Sequence, residues 1–184
     1  MTGKKCVLFF LFTSILNVGL SQIDERSTSD FRKGKLDEQT YNEVIGFLNK
    51  YSNEIKDTIL IRYHYNNGAC WIIMDKTEGE EEIRSRIKYG QEHLKKAMEA
   101  RPQLSFFEFR EPGNRANKII KWNNEIIIDT TKTLHRLLFS KEQRCGNSAM
   151  ILPDRRFIFL QSDPHNEMIL HPERTATAIK DLLE

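Results

Sequence analysis

The chain predicts an α/β fold: a central mixed β-sheet, covered by helices on both faces and ending in an antiparallel hairpin. Three observations carry this. Helical and strand-like apolar periodicities alternate from residue 37 to residue 139. Two strong strand patterns, 57–65 and 104–109, are separated by a long amphipathic helical pattern, so they pair in parallel through a crossover. Two apolar runs, 147–152 and 157–161, flank Pro153-Asp154-Arg155-Arg156 and read as a hairpin.

Residues 1–21 read as a signal peptide outside the fold. Lys4 and Lys5 precede an apolar core from Cys6 to Leu16, and Gly19 and Ser21 are the small residues before a cut at Gln22. The apolar run is short for a membrane span of about 20 residues. The expected location is therefore periplasmic or secreted, with no stable membrane span after cleavage. The chain holds 28 basic and 26 acidic residues. Losing Lys4 and Lys5 leaves 26 of each sign, which gives no electrostatic case for nucleic acid or an anionic membrane. About 160 residues then remain, enough for one domain with its own core. Of the three cysteines, Cys70 and Cys145 stay. An even pair in an exported chain is a disulfide candidate, worth about 4–5 kcal/mol in the chain-entropy model. Two separate buried thiols are the alternative.

Residues 22–36 are polar, lack periodicity and read as a flexible lead-in to a single domain over 37–184. Asp37 is placed to cap a helix from Glu38 to about Asn53, with Tyr41, Val44, Ile45 and Leu48 on one stripe. In the strand that follows, Ile59, Ile61, Tyr63 and Tyr65 share one face, and Leu60, Arg62 and His64 share the other. Asn66-Asn67-Gly68 turns the chain, and Cys70 stands just past the strand end, where open α/β sheets place their chemistry. Trp71 to Asp75 fits either a short strand or a helix start. Glu80–Glu82 opens a helix to about residue 101, lined inward by Ile83, Ile87, Leu94, Ala97 and Met98. Pro102 ends it. One or two helical turns over 115–122, a short strand at 125–129 and a helix over 132–139 follow, the last capped from Asp129, Thr130 and Thr131. Pro172 opens a terminal helix.

From about residue 57 to residue 184 this order resembles the thioredoxin-like superfamily, especially its exported thiol-disulfide oxidoreductase and peroxiredoxin-type branches. The resemblance rests on Ile59 to Cys70, on Ile127-Ile128-Asp129 with the Leu134 helix, and on the Ala149 to Leu160 hairpin with its terminal helix. It implies a three-layer thioredoxin-like fold in which the loop after the first central strand meets the loop before the hairpin. The family carries Cys-x-x-Cys after that strand. Here the tetrapeptide is Asn67-Gly68-Ala69-Cys70, so Asn67 holds the place of the nucleophilic cysteine. The family's cis-proline before the hairpin has its counterpart in Cys145-Gly146-Asn147-Ser148, without proline. The peroxiredoxin signature is also missing around Cys70. The resemblance thus implies that Cys70 and Cys145 are neighbours across a cleft framed by Asn67, Gly68, Trp71, Gly146 and Ser148.

The expected function is a non-enzymatic binding or scaffold domain for a protein partner, stapled by a Cys70–Cys145 disulfide. The alternative is a thiol-disulfide oxidoreductase that uses Cys70 and Cys145 as its catalytic redox couple. No cofactor motif is present: there is no phosphate-cradling glycine loop, and Ser148 lacks a nucleophile motif. Asp163, His165, Glu167 and His171 read as a polar loop rather than a metal site. His135 is expected half-buried and His93 on a solvated helix face. Tyr65, Trp71 and Trp122 are candidate binding-surface aromatics, although core burial is the expected fate of both tryptophans.

Overall fold

The computed structural model describes residues 31–66, 72–140 and 147–160. Residues 1–30, residues 67–71 with Asn67, Gly68, Cys70 and Trp71, residues 141–146 with Cys145 and Gly146, and residues 161–184 lie outside the described residues. So does the Cys70–Cys145 pairing expected from the sequence.

Six strands form one sheet in the order β1-β6-β5-β2-β3-β4. β2 (Thr58–His64) is its centre, parallel to β3 (Leu104–Arg110) and antiparallel to β5 (Asn147–Ile151). β5 and β6 (Arg156–Leu160) make the expected hairpin, and β4 (Ile127–Ile128) adds two parallel residues beyond β3. The hairpin turn holds Arg155 at φ 74°, while the Asp154 carboxylate accepts from the Arg156 amide at 3.1 Å. The α/β class and the mixed sheet are therefore as the sequence predicts.

Period-two patterning sends the two sides of β2 into two cores. Ile59, Ile61 and Tyr63 pack with Phe107, Phe109, Ala149 and Phe159 beneath α1 (Glu38–Leu48) and α5 (Thr133–Leu137). Leu60 packs on the opposite face with Met150, Ile158 and Leu160, against Leu94, Ala97 and Met98 of α3 (Glu80–Glu99). The segment after Trp71 takes the helical option as α2 (Ile72–Thr77), and the turns before β4 form α4 (Lys118–Trp122). Among the described residues no helix is long and apolar enough to cross a membrane.

Two expectations need correction. The polar lead-in ends in a strand, β1 (Phe31–Lys35), which pairs antiparallel with β6. Lys33 and Lys35 point to solvent, the Arg32 guanidinium lies 5.1 Å from the Phe159 ring, and Leu36 enters the core. Charged residues are a common guard on an edge strand, so apolar alternation did not mark it. The first helix also stops at Leu48 rather than near Asn53, because polar Asn49, Lys50, Ser52 and Asn53 offer little to bury. Tyr51 alone turns back, with its ring 5.3 Å from that of Phe109.

Candidate functional site

The parallel register of β2 and β3 sets Arg62 opposite Glu108, with His64 one pair further along. All three side chains share the face of Leu60 that α3 covers. Arg62 donates from Nη1 to Glu108 Oε1 at 3.0 Å, and His64 Nε2 lies 2.6 Å from the same oxygen. The three side chains are only 10–15% exposed. Burial pushes the Glu108 carboxyl up, but the Arg62 charge and the His64 hydrogen bond outweigh it and hold the group at about 2. Glu108 is thus a carboxylate, which only accepts, so His64 carries a proton on Nε2. The Arg62 guanidinium also lies 5.4 Å from the centre of the Phe106 ring.

This cluster lies in the lining of a pocket of about 580 Å³ between the sheet and the α3–α4 side. Ile87 and Leu94 of α3 and Ile119, Ile120 and Ile126 supply apolar wall. A 2.8 Å hydrogen bond from Gln91 to Asn123 ties the two walls together. Gly90, in the middle of α3, also lines the pocket, and a Cβ added there would meet nothing within 4 Å. A helix-interior glycine costs about 0.5–1 kcal/mol relative to alanine, and no packing contact requires one here.

A second polar group lies on the α1–α5 face, near the C-terminal end of β2. Asp129 is fully buried and accepts from the Thr133 and His135 amides at 2.9 and 3.1 Å. The Tyr63 hydroxyl donates to it at 3.4 Å, and burial followed by the Asp129 charge raises the phenol's pKa well above its usual value. These bonds start α5, whose own N-cap, Lys132, is left-handed at φ 53° and makes no side-chain cap. His135 is half-buried, as expected, 3.7 Å from Glu111. Among the described residues no cluster of three or more His, Cys, Asp or Glu side chains is arranged to hold a metal.

Ser148 is the one member of the expected cleft within the described residues. It is buried in β5, opposite Arg62 in register. That register sets it on the strand next to the Arg62–Glu108 pair. Tyr65 is no surface aromatic: it is buried, and its hydroxyl donates to the Phe139 carbonyl at 2.5 Å. Trp122 is not core. It is half-buried, with Arg84 and Lys118 5.0 and 5.7 Å from its ring, because the short α4 turns Ile120 inward instead. His93 is exposed on α3, as expected, and stacks on Tyr89 at 5.9 Å.

Sequence reasoning gave no role to Arg62, Glu108 or Gly90. The available signal was a pair of opposite charges, each interrupting an apolar strand, on strands expected to run parallel. Comparison with family models, curated proteins and solved structures finds no match for this chain.

Proposed function

We propose that this chain is an exported binding domain on a thioredoxin-like scaffold, non-enzymatic and stapled by a Cys70–Cys145 disulfide. The run β3-β2-β5-β6, with one parallel and two antiparallel pairings, supports that relationship. Asn67 at the place of the nucleophilic cysteine supports binding over exchange chemistry.

The state of Glu108 carries the reading. A general acid or base works best with a pKa near the working pH. Glu108 sits at about 2, held between Arg62 and His64, and so acts as a fixed anchor in its pocket. An ion cluster paired within itself beside apolar walls fits a binding surface better than a proton shuttle.

The first test is the redox state of the mature chain beginning at Gln22. Free thiols are labelled under denaturing conditions with and without reduction, and reduction is titrated against glutathione. A Cys70–Cys145 bond with a potential below about −300 mV makes the bond structural, and the binding reading stands. A potential near about −200 mV or above, with turnover of an insulin disulfide, makes the chain an oxidoreductase and overturns it. Two free thiols in chain folded under oxidising conditions overturn the staple.

A further inference from the structure

We infer that the pocket between β2–β3 and α3–α4 binds a small, uncharged, largely apolar molecule bearing one hydroxyl or carbonyl group, seated against the backbone of α3 at Gly90. This rests on the reading of the chain as a binding domain and names the ligand class.

Size is the first argument. A volume of about 580 Å³ lies within the range of small-molecule sites, and the wall residues Ile87, Leu94, Ile119 and Ile126 offer an apolar lining. Charge is the second. Glu108 is matched by Arg62 within hydrogen-bond distance, Arg86, also in the lining, pairs with Glu78 at 2.7 Å, and the other lining carboxylate, Glu125, is exposed and keeps its hydration. A ligand with a formal charge would lose its hydration beside groups that already have counter-ions, and would have to displace one of them. A neutral molecule avoids that cost. Arg62 Nε is a buried donor with no hydrogen-bond partner among the described residues, which suits a ligand hydroxyl or carbonyl oxygen more than a bare hydrocarbon.

Gly90 is the third argument. It lies ten residues into a 20-residue helix, lines the pocket, and has open space where a side chain would go. The helix itself would be better served by alanine. A missing side chain leaves the backbone of α3 open to close contact by a flat or chain-like apolar body.

Nile red is a suitable probe, because it is neutral, apolar and carries one carbonyl. Its fluorescence should rise saturably with one site per chain, and the amide resonance of Gly90 should shift with the same affinity. Gly90→Phe fills the space and should raise the Kd by at least about tenfold. Gly90→Leu, a better helix former, should do the same with no loss of thermal stability, so a folding defect cannot mimic the result. The anionic dye 1-anilinonaphthalene-8-sulfonate should bind more weakly than Nile red. No saturable Nile red binding, binding unchanged in both Gly90 variants, or tighter binding of the anionic dye would each overturn the inference. The redox titration keeps the two readings apart. A structural disulfide without Nile red binding removes only the pocket assignment, whereas bound dye in a redox-active chain removes only the non-enzymatic reading.

Discussion

At the scale of single residues, one carboxylate organises the α3 face. Glu108 is half-buried in β3, its side chain 10% exposed, and receives hydrogen bonds from two side chains of β2, 46 and 44 positions away in the chain. Removing one partner of such a cluster leaves the other charge buried and uncompensated. Glu108→Ala should therefore cost about 3–5 kcal/mol in urea unfolding. The double variant Arg62→Leu with Glu108→Leu should recover part of that loss, because neither member of the Arg62–Glu108 pair is left without its counter-charge, while His64 Nε2 still loses its acceptor. A pH dependence follows. The folded-state pKa of Glu108 is about 2 against an ordinary 4.5, so the unfolded chain binds the proton more readily. The stability Glu108 contributes is complete above the unfolded value and is lost as pH falls from there toward 2. Urea midpoints measured at about pH 6 and about pH 3 should fall more in the native chain than in Glu108→Gln, which lacks the titrating group. Equal falls would show that the cluster does not hold the carboxylate.

At the scale of elements, short helices depend on side chains beyond their own first turn. Asp37 caps α1 directly, accepting from the Thr40 amide at 2.7 Å, and the sequence marked it. The five-residue α5 has no such residue at its N-cap and is started by Asp129 from further upstream. Asp129→Ala should cost about 1–3 kcal/mol by leaving two amides and the Tyr63 hydroxyl without their acceptor. Asp129→Asn should recover part of it, since one carbonyl oxygen remains. Asp129→Ala should also release the Tyr63 and Phe139 rings, stacked 4.8 Å apart, which near-ultraviolet circular dichroism reads directly. In α3 the opposing case holds: Gly90→Ala should raise Tm by about 2 °C, because it removes a helix-interior glycine without meeting any neighbour.

For the whole molecule, one edge of the sheet is set by β1. It covers the outer edge of β6 with five antiparallel pairs, from Phe31 with Leu160 to Lys35 with Arg156. An uncovered strand edge pairs with other chains. A chain starting at Leu36 should therefore self-associate in sedimentation at concentrations where the chain from Gln22 is monodisperse, and should melt lower. If both sediment alike, β1 is dispensable and the lead-in reading of residues 22–36 is restored. The pocket also belongs to this scale, because its walls come from β2, β3, α3, α4 and the segment after α4, none of which forms it alone.

Most of the secondary structure was legible in the sequence because periodicity is a local property. The faces of β2, the stripe of α1, the inner residues of α3 and the β5–β6 hairpin all follow from side-chain spacing within a few residues. So did the order of layers, since a helix between two strands favours a parallel crossover. What the sequence left open depends on pairing between distant segments. β1 is a strand because β6 supplies its hydrogen bonds, and its own polar residues carry no pattern that demands one. Tyr65 alternates like a strand residue at a surface end, yet the segment after α5 covers it and accepts its hydroxyl. Arg62 and Glu108 read separately as single charges in apolar strands. Only the β2–β3 register brings them together, and with His64 it makes one largely buried cluster of three residues whose chemistry neither strand specifies by itself.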